Sequence, residues 1–395
     1  MYKVAYYNQI AQQALSMINE DDYQMVDPSQ EYDALLLRSK IIAPSDVSDK
    51  VLYIGRAGAG VNNIAVDEFT DSGVVVCNAP GANANAVKEL VILGMLLSSR
   101  DVLGGIEWVQ SLRNANRHVD IEKVVEQNKN HYIGPEIAGK TLGVIGLGSV
   151  GVSVANAASA LKVKVIGFDP FISVSAAWGL SRKVKRAVSL DEIFINSDYI
   201  TIHIPLMEKT KGYINASHLK KAKPGLRLLN FARGGLIDND DLKEYLENGT
   251  VARYITDFPD NETINLPHTL CIPHLGASTP ESEINCAKMV VHQMIEYLEH
   301  GNIINSVNYP EANMGQLRSK CRLTLHNRNV PNMIGQMTGM LSNENINIAN
   351  MVNSSKGGYA YTMIDVESDI SDELVSRLLD IDGVIRVRRL VNENY

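Results

Sequence analysis

Gly146-Leu147-Gly148-Ser149-Val150-Gly151 is the stretch on which the fold turns. The chain holds 29 glycines, so the spacing alone says little. Its flanks give it meaning. Thr141–Ile145 before it reads as a buried strand, and Val154, Ala155, Ala157, Ala158 and Ala160 after it read as a helix of small residues. The next strand, Lys164–Phe168, ends at Asp169, 23 residues after Gly146. A strand, a glycine turn, a helix and an acidic strand end form a dinucleotide-binding fingerprint. Gly146 permits the tight turn, Gly148 lets the backbone approach a pyrophosphate, and Gly151 lets the helix pack close. The N–H groups of Ser149 and Val150 open the helix and face the anion. Asp169 accepts from the ribose hydroxyls and repels a 2′-phosphate, which selects NAD over NADP.

Outward from this point, strands and helices alternate in both directions. Val4–Tyr7, Ala34–Leu37, Leu52–Gly55 and Val74–Cys77 read as buried strands, followed by an apolar helix from Asn83 to about Leu103. Beyond the motif come strands Tyr199–His203, Arg227–Phe231, Arg253–Asp257 and Thr269–Ile272, then a helix over Pro280–Glu299. Two doubly wound parallel sheets account for this order. Residues 310–319 are polar and aperiodic and read as a linker. Past them, Arg322–His326, a helix opened by Pro331, Asn347–Val352, Tyr359–Val366, Ser371–Leu379 and Val384–Leu390 give βαββαβ, a small split sandwich.

Composition narrows the classes. The chain has 395 residues, 45% apolar and 21% charged, which fits two or three globular domains. A net charge of −8 argues against nucleic acid as a partner. Cys77, Cys271, Cys286 and Cys321 are widely spaced and suggest reduced thiols without disulfide or metal. The opening Met1–Tyr6 has a strand pattern rather than a signal peptide's, and no run of eighteen apolar residues offers a membrane span. These readings place the chain in the cytoplasm.

Three further segments end strands of the second series, where open parallel sheets bind ligands. They are Asn230-Phe231-Ala232-Arg233-Gly234-Gly235, Asp257-Phe258-Pro259-Asp260-Asn261-Glu262, and Pro273-His274-Leu275-Gly276-Ala277-Ser278-Thr279. They resemble the Arg, Glu and His motifs of the D-2-hydroxyacid dehydrogenases. Arg56-Ala57-Gly58-Ala59-Gly60 and Asn78-Ala79-Pro80-Gly81 resemble substrate loops of the branch acting on 3-phospho-D-glycerate, and the C-terminal segment resembles its ACT regulatory domain.

The resemblance implies a fold of three parts. A Rossmann-like nucleotide domain (96–284) is inserted in a flavodoxin-like substrate domain (1–95 and 285–312), and an ACT domain (318–395) follows. The cleft between the first two closes on substrate. It implies oxidation of 3-phospho-D-glycerate to 3-phosphooxypyruvate with NAD, the entry to serine synthesis. His274 is the acid–base, suited by an imidazole pKa of about 6.5. Glu262 accepts its other ring N–H, and Arg233 binds the substrate carboxylate. Asp257, Phe231, Ala232, Arg233, His274, Gly276 and Ala277 line the nicotinamide end. His203 is either beside the cofactor or a core histidine.

Arg56 is the first choice for the substrate's phosphate or carboxylate end, with the N–H groups of Ala57 and Gly58 as a carboxylate nest and Arg38 as a second cation. Asn329 and Asn347 match the asparagines of an L-serine effector site, although Asn332 stands where the family has glycine and Asn327 where it often has histidine. A homodimer or homotetramer is implied, paired through the nucleotide domain and the ACT domain. Three other readings fit the same scaffold: a glyoxylate or hydroxypyruvate reductase, an NAD-sensing binding protein, and an amino-acid sensor with vestigial catalysis.

Overall fold

The computed structural model describes residues 1–7, 10–114, 120–393 and 395. Its contacts divide the chain into two compact units, residues 83–279 and the remainder, Met1–Ala82 with Pro280–Tyr395.

The first unit contains two sheets. One is parallel and built from β1 (Tyr2–Tyr6), β2 (Tyr23–Met25), β3 (Ala34–Leu37), β4 (Tyr53–Arg56) and β5 (Val75–Cys77), in the order β2-β1-β3-β4-β5. This is the flavodoxin-like doubly wound order. Every residue of β3 is fully buried, which is why it reads as an unbroken apolar run rather than an alternation.

The inserted unit carries seven parallel strands. They are β6 (Thr141–Ile145), β7 (Lys164–Phe168), β8 (Lys185–Arg186), β9 (Tyr199–Ile202), β10 (Leu226–Asn230), β11 (Val251–Thr256) and β12 (Thr269–Cys271). Their order, β12-β11-β10-β9-β6-β7-β8, reverses direction between β6 and β9. That reversal is the switch point at which an open sheet forms its ligand crevice, and Gly146 and His203 follow the two strands beside it.

The helix expected from Asn83 to Leu103 is two helices, Ala84–Ser99 and Val102–Ser111, because Arg100 is extended. The polar stretch 114–131 carries the helix Ile121–Asn128, and residues 115–119 within it lie outside those described. Among the described residues no helix is long and apolar enough to cross a membrane.

The first unit's second sheet is antiparallel, ordered β14 (Ile348–Lys356), β15 (Tyr359–Val366), β13 (Cys321–Arg328), β16 (Val384–Val391). Helices Met333–Asn343 and Asp372–Leu379 complete the βαββαβ order. The first of these starts later than Pro331 suggests. Asn332 is left-handed (φ +66°), a conformation that glycine or asparagine adopts at low cost. The asparagine therefore meets a backbone need rather than adding bulk without reason.

This small sheet is fastened to the long helix Pro280–His300. The Arg388 guanidinium donates to the Tyr297 and Leu298 carbonyls (3.1 and 2.9 Å), Arg322 to that of His300 (2.7 Å), and the Tyr361 hydroxyl to that of Gly301 (2.7 Å). Three side chains thus satisfy carbonyls that a helix C-terminus leaves open, and the two guanidinium groups suit its dipole. Tyr361 and Met363 share one core with Val4, Tyr53 and Val290.

Arg322 is 1% exposed and bidentate to the Asp365 carboxylate (2.6 and 2.9 Å). Removing one partner strands a buried charge. Arg322→Ala should cost about 3–5 kcal/mol, read as a lower urea midpoint at unchanged slope.

Candidate active site

The glycine loop is built as its motif requires. Gly146 has φ +90°, and a Cβ there would lie 2.5 Å from the His203 carbonyl oxygen. A Cβ on Gly151 would lie 2.0 Å from the Gly146 oxygen, so strand and helix can only approach this closely without one. Gly148 differs, since a Cβ there meets nothing within 4 Å. Protein packing does not demand that glycine; the open space suits the approach of a pyrophosphate. Helix Ser149–Ala160 starts immediately after it, and its first-turn N–H groups have no partner within the helix.

Asp169 Oδ2 accepts from the Leu147 N–H and Oδ1 from that of Phe171, both at 2.8 Å. The carboxylate is therefore fixed to the loop, with lone pairs left for a ribose hydroxyl. These features fit a bound NAD. His203 Nε2 lies 2.9 Å from the Thr201 hydroxyl, and burial lowers the ring's pKa to about 3.

Past the ends of β10, β11 and β12 the candidate catalytic groups gather around Asp257. This side chain is fully buried. Its Oδ2 accepts from the Gly276 N–H (3.0 Å), and Oδ1 has no hydrogen-bond partner. Burial pushes its carboxyl pKa up; the Gly276 N–H, then His274 and Arg233, pull it back. Gly276 fits closely here: a Cβ would come 3.0 Å from Asp257 Oδ2, so the carboxylate would have to give. The exposed His274 ring leans on Phe258 with centroids 4.5 Å apart. Exposed Arg233 donates to the Ala232 carbonyl (2.7 Å).

Buried Asn230 clasps that turn, donating to the Arg233 carbonyl (2.8 Å) and accepting from the Ala232 N–H (3.2 Å). The motif alone gives Asn230 no role; its signal in the sequence is a polar residue ending a buried strand. The Phe231 side chain points into the core, where a Cβ on Gly94 would touch its ring at 2.9 Å. Half-buried Ala277 follows Gly276.

Two expectations need correction. Glu262 does not meet His274 among the described residues; it is exposed and accepts from Asn239 Nδ2 (2.9 Å). The cause is local. Asp260 Oδ1 accepts from the N–H groups of Glu262 (3.0 Å) and Thr263 (2.7 Å), closing a turn into the 3-10 segment Thr263–Asn265.

The nest at Ala57 and Gly58 is not formed either. The Ala57 N–H donates to the Leu37 carbonyl and that of Gly58 to Arg56, both at 2.8 Å, because the chain continues the β3–β4 ladder before turning. Arg56 clasps the same loop, through Nε to the Arg38 carbonyl (3.1 Å) and Nη1 to that of Gly60 (2.5 Å). Arg38 pairs with Glu283 at 2.7 Å. Asn329 and Asn347 fall at opposite ends of the small sheet. Asn329 Nδ2 reaches the Gly357 carbonyl at the β14–β15 turn (3.2 Å), whereas Asn347 precedes the far end of β14, where Ile348 pairs with Val366.

Residues 105–276 match the D-isomer specific 2-hydroxyacid dehydrogenase NAD-binding domain. A D-3-phosphoglycerate dehydrogenase of Bacillus subtilis is 34% identical over 328 residues, 78% of this chain. Residues 105–276 therefore carry the NAD-binding domain of the D-isomer specific 2-hydroxyacid dehydrogenases. That match spans 59% of the Bacillus enzyme, so this chain covers little more than half of its length. The Haemophilus influenzae D-3-phosphoglycerate dehydrogenase is 29% identical over 87% of this chain and 82% of its own. An NAD+-bound 3-phosphoglycerate dehydrogenase structure from Entamoeba histolytica superposes with a TM-score of 0.57 at 25% identity, over 78% of this chain and 98% of that one. A glyoxylate reductase from Paecilomyes thermophila gives 0.61 at 25% identity, with 78% and 98% covered.

Gly148→Ala should leave stability nearly unchanged and weaken NAD binding at least tenfold by calorimetry, whereas Gly151→Ala should also lower the melting temperature. His203 adds a pH dependence. The folded ring stays neutral down to about pH 3, while the unfolded ring takes up a proton below about 6.5. Its contribution is present above pH 6.5 and is lost as pH falls. His203→Asn should flatten the decline of the urea midpoint between pH 6.5 and 4.

Proposed function

We propose that this chain uses NAD to oxidise 3-phospho-D-glycerate to 3-phosphooxypyruvate, in the cytoplasm, as the first step toward L-serine. The observation that carries the reading is the convergence of His274 and Arg233 on buried Asp257, in the same sheet as the Gly146–Gly151 loop. NAD, when bound, supplies the hydride acceptor. His274 removes the hydroxyl proton as the carbon–hydrogen bond gives up its hydride, and returns a proton in the reverse direction. Arg233 holds the substrate carboxylate and stabilises charge on the reacting oxygen. The Asp257 carboxylate interacts electrostatically with the imidazole and favours its charged form after proton transfer. Asp169 selects NAD over NADP.

The identity of the substrate is supported by the relatives acting on D-3-phosphoglycerate. A 2-keto-acid reductase is the second reading, supported by the likeness to the glyoxylate reductase and by the structural duties of Arg56. The exposed Leu93, Leu96, Val102, Leu103, Ile106 and Val109 suit a homo-oligomer paired through this face. The βαββαβ segment is proposed as an ACT domain that takes L-serine, with Asn329 and Asn347 contributed by different copies.

NADH oxidation against a panel of 2-keto acids tests the substrate: 3-phosphooxypyruvate should be preferred at least tenfold over hydroxypyruvate in kcat/KM, and equal rates would overturn it. His274→Ala should lose at least a hundredfold in turnover with NAD affinity kept; a variant that still turns over contradicts the acid–base role. Calorimetry with L-serine should show heat below millimolar concentration, and its absence removes the effector.

A further inference from the structure

Glu283 stands three residues past Pro280, in the first turn of helix Pro280–His300. Its Oε1 lies 2.7 Å from Arg38 Nη2, and the two side chains are 45% and 42% exposed. Both face a cavity of about 440 Å³ that Tyr6, Gln12, Ala57 and Ile284 also line. The nearby Arg56 turns Nε and Nη1 to backbone carbonyls and so holds the loop that follows it. All three charges are felt at Cys286, one turn along the helix: burial raises its thiol pKa, the Ser282 hydroxyl and the two guanidinium groups pull it back, and Glu283 pushes it up. The cavity wall therefore carries one cation and one carboxylate, with Arg56 bonded to the backbone of Arg38 beside it.

We propose that Glu283 is a specificity-determining counter-ion, occupying Arg38 until an anionic group on the substrate's far end displaces it. The proposal rests on the substrate reading above and names what discriminates at its distal end. A half-exposed ion pair is weak because water screens it and two long side chains must be held still. A phosphate offers Arg38 more charge and more acceptor oxygens than a carboxylate, so it displaces Glu283. A neutral hydroxymethyl end offers neither, and it leaves Arg38 paired. Glu283 thereby sets how much of the preference of Arg38 for a charged end reaches binding, and removing it sharpens that preference.

The test uses the full chain and two readouts. Calorimetry with inorganic phosphate needs no turnover: Glu283→Gln should bind it about three- to tenfold more tightly than the unsubstituted chain, and Arg38→Ala should bind it more weakly. Steady-state kinetics with 3-phosphooxypyruvate and hydroxypyruvate then gives the ratio of their KM values, which Glu283→Gln should shift by a similar factor toward the phosphorylated substrate. Glu283→Ala should behave alike. Equal phosphate affinity in the variants and the unsubstituted chain overturns the proposal, as does a rise in both KM values together with a lower melting temperature, the mark of a purely structural pair. Tighter phosphate binding without turnover of either keto acid would sustain Glu283 and instead contradict the substrate reading.

Discussion

A carboxylate buried away from the surface organises the catalytic end of the inserted unit. Asp257 ends β11 fully buried, with one oxygen on the Gly276 N–H and the other unpartnered. A buried ionised carboxylate is costly unless donors and cations surround it. Here the surroundings are a loop amide and an imidazole from the end of β12 and a guanidinium from the end of β10. The one carboxyl thus interacts with both the Arg233 turn and the His274 loop. Asn230 and Gly276 serve the same end, one by clasping the Arg233 turn and the other by letting the His274 loop come close.

Each unit supplies rigid places for its own groups. In the inserted unit, the contact of Gly151 with the Gly146 carbonyl fixes strand to helix, and Asp169 fastens the loop to the neighbouring strand end. In the other unit, the small antiparallel sheet is held on the C-terminus of the long helix by Arg322, Arg388 and Tyr361. The helix whose first turn presents Glu283 to Arg38 is thus capped at its far end by that sheet.

The buried strands were legible to within a residue or two. Ala34–Leu37, Thr141–Ile145 and Lys164–Phe168 coincide with their expected ranges, because parallel strands covered on both faces leave uninterrupted apolar runs. The edge strands Tyr23–Met25 and Lys185–Arg186 were missed: they are two or three residues long and largely exposed, with little pattern to read. The helix break at Arg100 and the left-handed Asn332 depend on single backbone conformations that periodicity does not carry. The site divides in the same way. The glycine turn was readable because each glycine answers a steric demand or, at Gly148, leaves backbone exposed to a ligand. The Glu262 pairing and the Ala57–Gly58 nest were not, since both depend on where a turn directs its groups, and Asp260 and the β3–β4 ladder decide that.

Asp257→Asn isolates the central claim, since the amide oxygen can still accept from the Gly276 N–H while the charge is lost. The direct measurement is single-turnover hydride transfer, followed by NADH absorbance, alongside NAD affinity and melting temperature. The account predicts a loss of at least a hundredfold in the rate, with affinity within a few-fold and the fold intact. A rate within about twofold of the unsubstituted chain would contradict it, leaving His274 and Arg233 to act without the charge on which they converge.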